Sequence, residues 1–487
     1  MALDKDLASI QEARDLANAA HEAQKVWGRA SQAEVDRVCA AMAEAAFQAS
    51  ERLGRMAHEE TGYGVAAHKK IKNEFASRII WESIKDIKTV GVINHDPQRR
   101  IYEIAWPMGV VAALTPSTNP TSTVMAKVLT AVKARDAIVI APHPAAVHCS
   151  YETARLMAEA AERSGAPRGL IGCMQNVSLQ GTQELMRHKH VAVILATGGS
   201  GMVKAEHSVG KPAYGVGPGN VPAYVDRSAD LEKAARYIVS SKAFDYSTIC
   251  ATEQSVIADR PIAQKLAELM QANGAYFVED PQQVDALRRL LFFPDGAMNP
   301  SAVGKSPQVL AGMAGFSVPD WARILVVRLK EVGHSEPLSR EKLTTVLGWY
   351  EADGWEAGCE RSIELIQFGG PGHTQIIHAT DEQVILQFGL EKPVFRILAN
   401  TVGTLGAVGF TTGVMPSMTL GAGGVGGSIT GDNVTTYHLF NVKRLAYETK
   451  APPEAFFKPV EAALRQPSAA EIEAVVRSVV KEILNLG

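Results

Sequence analysis

The sequence has few cysteines, and none of them has the spacing of a metal or disulfide site. Five cysteines occur among 487 residues, at positions 39, 149, 173, 250 and 359, and no C-x-x-C motif is present. An odd number without paired spacing argues against a disulfide framework and against zinc. We therefore expect no metal, and we expect a protein of the reducing cytoplasm.

Neither charge nor hydrophobicity is concentrated along the sequence. The formal net charge is −3, and no apolar run reaches the roughly 18 residues of a membrane span. The start, Met1 to Asp6, is acidic and lacks the apolar segment of a signal peptide. We therefore expect neither nucleic acid nor membrane as a partner. Hydrophobic residues make up 46% of the chain, enough for the core of a globular protein with two or three domains.

Acidic residues are missing from one glycine-rich stretch, Lys211 to Tyr224. A second glycine-rich stretch begins at Gly198 and Gly199 and follows the apolar run Val191–Leu195. A strand, a glycine loop and a helix in this order bring backbone N–H groups against the phosphates of a cofactor. The spacing differs from G-x-G-x-x-G, and no acid stands about 20 residues on to hold a ribose, so the motif alone does not identify a site.

The rest of the chain alternates between helix-like and strand-like segments. Residues 7–88 predict three helices, and residues 90–104 predict a hairpin. From residue 109 a βαβ rhythm indicates a parallel sheet covered on both faces. Its apolar runs are Val110–Leu114, Ala137–Ala141, Gly169–Met174, Val191–Leu195 and Val221–Val225. A second α/β rhythm follows from residue 250 to about 400, with a boundary between the two near 228–245.

One cysteine stands where catalysis is expected. Cys250 follows a helical segment that ends near Phe244 and precedes the apolar run 255–258. Exposed backbone N–H groups at such a helix-to-strand junction favour a thiolate nucleophile. The alternative is a small buried core residue, and the two glycine-rich stretches upstream favour the nucleophile.

Six short blocks carry a family resemblance. They are 113–122 (ALTPSTNPTS), 140–144 (IAPHP), 196–199 (ATGG), 214–220 (YGVGPGN), 249–255 (ICATEQS) and 369–374 (GGPGHT). In this order, over about residues 5–448, they resemble the CoA-acylating branch of the aldehyde dehydrogenase superfamily. The resemblance is strongest to acylating succinate-semialdehyde dehydrogenases and to the aldehyde half of bifunctional aldehyde–alcohol dehydrogenases.

The resemblance implies an α/β, aldehyde dehydrogenase-like fold, with two Rossmann-like α/β domains and a small β oligomerisation arm. The implied divisions are an NAD(P)-binding domain at 1–240 with the arm hairpin inserted at about 90–106, a catalytic cysteine domain at 241–430, a return to the arm or core at 431–450, and a proline-containing linker with an amphipathic helix at 451–487. A homodimer or homotetramer is implied as well.

The implied reaction converts an aldehyde, CoA and NAD(P)⁺ into acyl-CoA and NAD(P)H. Cys250 attacks the carbonyl and carries the acyl group as a thioester, while the Asn119 amide and the Cys250 backbone N–H hold the oxyanion. His373 is the base for the incoming CoA thiol. Implied cofactor-binding residues are Thr115, Pro116, His143, Thr197, Gly198, Gly199, Gly217 and Glu341. Non-catalytic alternatives are a turn residue for Asn119, a loop histidine for His373 and a solvated acid for Glu341.

The lack of acids in the stretch 211–224 bears on whether CoA or water accepts the acyl group. Water-using members of the superfamily carry a general-base glutamate in the block that corresponds to 215–220, and this chain has none there, so CoA transfer is favoured over hydrolysis. A hydrolytic dehydrogenase is the alternative enzyme, and a non-catalytic scaffold that recruits partners is the alternative of another class. No carboxylate stands near His143 to bind the adenosine ribose, which favours NADP over NAD.

The residues before Cys250 guide the choice of substrate. Tyr246-Ser247-Thr248 replaces the Asn-Gly-Val or Asn-Gly-Ile that is usual in the resembled enzymes, and the Tyr and Ser hydroxyls suggest donors for a carboxylate or sulfonate. We therefore predict a short anionic aldehyde, with sulfoacetaldehyde ahead of succinate semialdehyde, acetaldehyde and propionaldehyde. The glycine-rich segment 403–431 is either a flexible linker or a loop that faces substrate or CoA. Ala422 and Val425 in it depart from the usual Cys and Trp, and Thr345 departs from the usual Pro near Glu341.

The C-terminal residues 468–484 predict an amphipathic helix. Its apolar residues lie at 472, 475, 476, 479, 480, 483 and 484, with Glu, Arg and Lys opposite. Packing on the same subunit and binding of a partner both remain open. Similar tails in the resembled family dock enzymes into bacterial microcompartments, so the location implied is the cytoplasm, with such a compartment as a further possibility.

Overall fold

The computed structural model describes residues 4–198, 209–457 and 467–484. Gly199 lies outside these described residues. The chain forms two compact units, Met1–Ile93 with Ile104–Lys443, and Asn94–Glu103 with Arg444–Gly487.

The N-terminal segment is helical but more divided than the sequence predicted. Ser31 and Glu34 form a capping box at the start of the second helix. The third helix stops at Gly62, whose φ of 67° is a left-handed conformation that glycine adopts without steric cost. The prediction of three helices is therefore wrong. The helices are α1 (Lys5–Trp27), α2 (Gln32–Gln48), α3 (Ser50–Thr61), α4 (Ala66–Glu74) and α5 (Ile80–Ile84), with a π-helical turn at Phe75–Ile79 between the last two.

A five-stranded parallel sheet carries the first βαβ rhythm, in the order β5-β4-β3-β6-β7. Its strands are β3 (Val110–Thr115), β4 (Ala137–Pro142), β5 (Ile171–Cys173), β6 (Val191–Thr197) and β7 (Ala213–Val216). The helices that follow in sequence are α6 (Pro120–Lys133), α7 (Val147–Arg163) and α8 (Leu179–Arg187). Four of the predicted apolar runs are confirmed as strands of this sheet. The sequence missed β7, which has only four residues.

A seven-stranded parallel sheet follows, in the order β10-β11-β12-β9-β8-β13-β14. Its strands are β8 (Val221–Val225), β9 (Glu253–Asp259), β10 (Ala275–Phe277), β11 (Ile324–Arg328), β12 (Val346–Ala352), β13 (Gln375–His378) and β14 (Ile397–Ala399). The helices are α9 (Leu231–Ala243), α10 (Arg260–Ala272), α11 (Pro281–Leu291), α12 (Pro307–Ala314), α13 (Gly354–Gly369), α14 (Glu382–Glu391) and α15 (Gly403–Ala407).

One strand lies in a different sheet from the one predicted. The run Val221–Val225 was placed with the first α/β region, whereas β8 pairs with β9 and β13. The chain therefore changes sheets between β7 and β8, before the predicted boundary near 228–245. An all-buried parallel strand has the same apolar pattern in either sheet, so the pattern could not assign it.

A small three-stranded sheet has the order β1-β2-β15, with β1 (Gly91–Asp96), β2 (Ile101–Pro107) and β15 (Phe440–Ala446). Strands β1 and β2 confirm the hairpin predicted over residues 90–104, and β15 lies beside β2 in the sheet. In the second unit, the Arg100 side chain donates to the Glu448 carbonyl at 2.7 Å. Beyond it lie α16 (Glu454–Phe457) and α17 (Ala469–Leu484), which confirms the predicted C-terminal helix. No helix in the described ranges is long and apolar enough to cross a membrane.

Candidate active site

A cleft of about 440 Å³ brings most of the predicted site residues together. The predicted residues that line it are Pro116, Asn119, His143, Thr197, Gly198, Gly217, Cys250 and Glu341. Thr115 is buried at the end of β3 and does not line the cleft, and His373 reaches the site through Cys250. Apolar side chains complete the lining at Met298, Val303 and Leu343.

The backbone before Cys250 is held in a left-handed turn. Asp245, Tyr246 and Ser247 have φ values of 47°, 50° and 68°. A left-handed conformation costs a residue with a side chain about 1–2 kcal/mol, so three in succession store strain beside the nucleophile. The Asn-Gly that is usual at 246–247 in the resembled enzymes suits this backbone better than Tyr-Ser. The unusual residues are therefore at strained positions.

Buried charge holds the first residue of this turn. The Asp245 carboxylate pairs with the ammonium of Lys72 and, at 3.1 Å, with that of Lys69. It also accepts from the Val65 backbone N–H at 2.6 Å. Burial by itself would raise the pKa of Asp245, but the two lysines outweigh it and lower the pKa to about 2. The carboxylate is thus ionised at any physiological pH.

Lys72 connects this cluster to the predicted oxyanion donor. Its Nζ donates to Asn119 Oδ1 at 2.5 Å and to Thr248 Oγ1 at 3.0 Å. The Asn119 amide nitrogen donates in turn to the Thr248 carbonyl at 2.9 Å and to Thr118 Oγ1 at 3.2 Å. Burial lowers the pKa of Lys72 to about 8, with Asp245 opposing the shift. The Asn119 side chain is therefore held at both ends, and its amide donates to Thr248, which lies two residues before Cys250 in the sequence.

His373 contacts the nucleophile directly. Its Nε2 lies 3.2 Å from Cys250 Sγ, and its Nδ1 lies 2.9 Å from Thr374 Oγ1. Burial, helped by Arg396, lowers the pKa of His373 to about 3, so the imidazole is neutral. Burial and the nearby Glu341 carboxylate raise the pKa of Cys250 to about 12, so the resting sulfur is a thiol. The neutral imidazole of His373 can therefore accept the proton of the Cys250 thiol when the sulfur attacks.

The four other cysteines, including Cys359, are buried, and none of them lines the cleft. Cys39 and Cys149 are fully buried, and Cys173 is 6% exposed. Burial raises the pKa of all three thiols. Cys250, by contrast, is partly exposed and lines the cleft.

Arg396 fixes the loop that carries His373. Its guanidinium donates to the His373 carbonyl at 2.7 Å, to Asn433 Oδ1 at 2.6 Å and to the carbonyls of Gly421 and Gly431. Gly421 N–H also donates to the Asp432 carbonyl at 2.9 Å. The glycine-rich segment 403–431 is thus tied down at this point, against the flexible-linker interpretation, and none of its residues lines the cleft.

Gly219 permits the close approach of the acid-free loop to the nucleophile. A Cβ atom at this position would lie 2.2 Å from the Cys250 carbonyl oxygen and 3.1 Å from His373 Cε1. Its backbone N–H donates to Glu341 Oε1 at 2.9 Å. Burial raises the pKa of Glu341 to about 7. The sequence singled out Gly217, whereas the steric requirement lies at Gly219.

The cleft suits a dinucleotide cofactor. The hydroxyls of Thr115 and Thr197 are buried, and within the described ranges neither has a hydrogen-bond partner. Thr197, Gly198 and the Glu341 carboxylate face the same cleft. His143 Nδ1 accepts from the Ala145 N–H at 3.1 Å, and burial lowers the pKa of His143. These groups match the polar ends of a nicotinamide dinucleotide, and the apolar lining matches its rings.

The hydroxyls proposed to bind an anionic substrate do not reach the cleft. Ser247 is fully buried, and its Oγ accepts from Lys242 Nζ at 3.0 Å. Neither Ser247 nor Tyr246 lines the cleft. The argument from these two hydroxyls for a carboxylate or sulfonate therefore has no support from the cleft lining.

Three functional contacts escaped sequence reasoning. Lys72, Asp245 and Arg396 support Asn119, the cysteine turn and the histidine loop, and none was singled out. Lys72 and Asp245 are far apart in sequence, and a lone lysine in an amphipathic helix resembles a surface residue. Asp245 could have been found from its position, five residues before Cys250.

Comparison with known proteins places this geometry in context. The family described as "Aldehyde dehydrogenase family" matches residues 4–286. Aldehyde-alcohol dehydrogenase 2 of Entamoeba histolytica is 39% identical over 88% of this chain, which spans only 51% of that relative. Succinate-semialdehyde dehydrogenase (acetylating) of Clostridium kluyveri is 38% identical, over 90% of this chain and 97% of the relative. Sulfoacetaldehyde dehydrogenase of an Acholeplasma species is 34% identical, over 87% and 88%.

Solved structures are also similar. An acetylating aldehyde dehydrogenase from Geobacillus thermoglucosidasius has a TM-score of 0.91 and 48% identity, over 93% of this chain and all of that one. Propionaldehyde dehydrogenase of Rhodopseudomonas palustris, solved with bound propionyl-CoA, has a TM-score of 0.81 and 27% identity, over 89% and 94%.

Proposed function

The chain belongs to the aldehyde dehydrogenase family, and from that premise we propose that it is a CoA-acylating aldehyde dehydrogenase. The observation that carries the proposal is the contact of Cys250 with a neutral histidine, 3.2 Å away, beside a loop without an acid. The nucleophile has a base, and the loop position that activates water in the hydrolytic relatives is empty of carboxylates.

In the first half-reaction, Cys250 Sγ attacks the aldehyde carbon. His373 Nε2 takes the thiol proton as the C–S bond forms, and the Asn119 amide with the Cys250 N–H stabilises the oxygen. In the resting protein both hydrogens of the Asn119 amide are donated, to Thr248 at 2.9 Å and to Thr118 at 3.2 Å. The oxyanion therefore replaces Thr118, the more distant of the two acceptors. A bound nicotinamide would supply the hydride acceptor, and loss of the hydride leaves a thioester on Cys250. The proton taken by His373 passes to solvent, because the pKa of its imidazole is lowered to about 3.

In the second half-reaction, the CoA sulfur attacks the thioester carbon and the Cys250 C–S bond breaks. One proton moves from the incoming thiol to the departing sulfur, and His373 lies beside Cys250 to carry it. A free thiol with a pKa near 8.5 is only a few per cent ionised at pH 7. The imidazole of His373, with a pKa of about 3, is too weak to form a free thiolate, so it takes the proton as the new C–S bond forms.

For the cofactor, we propose Pro116, Thr197, Gly198 and Glu341, which line the cleft, as the residues that hold a nicotinamide dinucleotide, with the buried Thr115 at the end of β3 next to Pro116. We assign Gly217 and Gly199, which lies outside the described residues, to the same role, and His143 to contact with a ribose 2′-phosphate of NADP. Among the described residues, Glu341 is the one acidic residue that lines the cleft. We assign it to the nicotinamide end of the cofactor, which leaves no lining acid for the adenosine ribose near His143. A kcat/KM for NADP above that for NAD is the expected result, and the reverse order refutes this preference.

For the substrate, the cleft lining favours a short aldehyde. Met298, Val303 and Leu343 offer apolar contacts, and no lysine or arginine lines the cleft within the described ranges. This replaces our sequence-based order, so acetaldehyde and propionaldehyde now precede sulfoacetaldehyde and succinate semialdehyde. A kcat/KM for sulfoacetaldehyde well above those for the uncharged aldehydes would restore the first order.

The central experiment assays purified protein with aldehyde and NAD(P)⁺, with and without CoA. We expect acyl-CoA and NAD(P)H to appear together, and only with CoA, beyond a first turnover. Cys250→Ala abolishes both, while Cys250→Ser is nearly as poor because a neutral hydroxyl attacks slowly. Sustained NAD(P)H formation without CoA would identify the hydrolytic alternative, and no turnover at all would favour a scaffold.

His373→Ala separates the two half-reactions. If His373 serves mainly the CoA thiol, a first-turnover burst of NAD(P)H survives while steady-state turnover falls, and the defect shrinks toward pH 9 as CoA ionises unaided. Loss of the burst instead assigns His373 to the first attack, which its contact with Cys250 also permits.

For the C-terminal helix, we propose partner binding. Its apolar residues are 47–74% exposed in α17, from Ile472 to Leu484. A shell protein of a microcompartment is the partner the sequence favours, beside self-association into a homodimer or homotetramer. Removal of residues 468–487 should leave kcat unchanged and abolish co-sedimentation with such a shell, and retained co-sedimentation contradicts the role.

A further inference from the structure

Lys72 lies outside the cleft lining but contacts the proposed oxyanion donor. Its side chain is 4% exposed, and its ammonium reaches Asn119 Oδ1, Thr248 Oγ1 and the Asp245 carboxylate. An ammonium has three hydrogens, and these are three acceptors. The group is therefore fully used within the protein and is not available to a substrate.

The contact with Asn119 decides which end of the amide faces the oxyanion. An asparagine side chain can turn over, which exchanges its NH₂ group for its oxygen, and only the NH₂ group stabilises a negative charge. With Oδ1 accepting from Lys72, the reversed orientation would set two donors against each other. A hydrogen bond from a cation to Oδ1 also polarises the amide, which makes its N–H groups stronger donors.

We propose that Lys72 is a positioning residue that keeps the Asn119 amide oriented and polarised toward the oxyanion formed at Cys250. The inference deepens the proposed function and rests on it. Lys69 and Asp245 complete the arrangement, because one carboxylate shared by two ammonium groups leaves one net positive charge beneath Asn119.

Two chemical probes of Cys250 separate this role from a structural one. With p-nitrophenyl acetate, the thiol adds to the ester carbonyl, passes through an oxyanion, and expels p-nitrophenolate while the thiol proton goes to solvent. With iodoacetamide, the sulfur displaces iodide and no oxyanion forms. Both reactions need neither CoA nor a nicotinamide, and Cys250→Ala measures the background from other residues.

Lys72→Met should slow acylation by the ester about 10- to 100-fold, less than the 10²–10³-fold typical for complete loss of an oxyanion donor. The rate with iodoacetamide should stay within about twofold, because that reaction does not use Asn119. Equal slowing with both reagents overturns the proposal, since it would mean that the cysteine itself was displaced.

A double-mutant cycle tests whether Lys72 acts through Asn119. Asn119→Ala should slow the ester reaction more than Lys72→Met, and the double variant should match Asn119→Ala within about twofold. Effects that multiply would show that Lys72 acts independently. If Lys72→Met does not fold, the same cycle is run with Lys72→Gln, which keeps a donor without the charge. Wild-type protein that reacts with the ester yet forms no acyl-CoA refutes the proposed function while leaving the Lys72 test intact.

Discussion

Two clusters of buried charge lie near Cys250, and they differ in how their charges are compensated. The aspartate cluster consists of Lys69, Lys72 and Asp245, in which both ammonium groups contact the carboxylate. The glutamate cluster consists of Lys242, Lys342, Glu253 and Glu341, and within the described ranges no ion pair joins its members. Lys242 donates to Ser247 and Gln254, and Lys342 to backbone carbonyls.

The difference appears in the titration of the two clusters. Pairing lowers the pKa of Asp245 to about 2 against the effect of burial. Without such pairs, burial raises the pKa values of Glu253 and Glu341 to about 7 and lowers that of Lys342 to about 7. Burial by itself therefore neutralises a side chain, and only direct contact with an opposite charge keeps it ionised.

Removing the central charge of the aspartate cluster has the largest expected effect. Asp245→Asn leaves Lys69 and Lys72 buried without a counter-charge, which should cost about 3–5 kcal/mol in the free energy of unfolding. Glu253→Gln is the matched change in the glutamate cluster and should cost about 1 kcal/mol or less, because the amide oxygen can still accept from Gly403 N–H. Urea unfolding at about pH 5, where Glu253 is protonated and Asp245 is ionised, measures both, and equal losses would remove the distinction between the clusters.

The pH dependence of stability should separate the clusters next. Burial raises the pKa of Glu253 from 4.5 to about 7, so its contribution to stability is present below pH 4.5 and is lost as the pH rises through 7. Between about pH 5 and pH 8, the free energy of unfolding of Glu253→Gln should therefore rise by about 1–3 kcal/mol relative to that of the wild type.

The aspartate cluster should respond at lower pH. The pKa of Asp245 is lowered, so its contribution is present above 3.8 and is lost only as the pH falls through about 2. The deficit of Asp245→Asn should therefore shrink between about pH 4 and pH 2, where Glu253→Gln should follow the wild type. Unfolding curves at about pH 2, 4 and 8 provide the check, and a parallel drift of the two variants below about pH 4 would contradict the assignment.

Relieving the strained turn should have the smallest effect, in the stabilising direction. Tyr246 has a φ of 50°, which is strained for tyrosine and which asparagine tolerates. Tyr246→Asn should therefore stabilise the protein by about 1 kcal/mol. Tyr237→Asn, the same change within α9, is the control and should destabilise. A melting temperature of Tyr246→Asn below that of the wild type would mean that the contacts of the Tyr246 side chain outweigh its backbone strain.

Much of the site was predictable because local motifs carry it. Cys250, Asn119, His143 and Glu341 were predicted from short blocks, and they line one cleft as expected. The apolar runs predicted β3, β4, β6 and β8 because buried parallel strands have an unbroken apolar pattern. The same pattern could not tell which sheet β8 joins.

The sequence by itself determined the family, the proposal of Cys250 as nucleophile and the α/β alternation, since these depend on residues that are close together along the chain. Only the tertiary structure decided that Lys72 reaches Asn119, that Asp245 balances two lysines, and that Ser247 turns away from the cleft toward Lys242. It also set the contact between His373 and Cys250, 123 positions apart. Burial, pairing and protonation depend on what surrounds a side chain in space, and residue order does not contain that information.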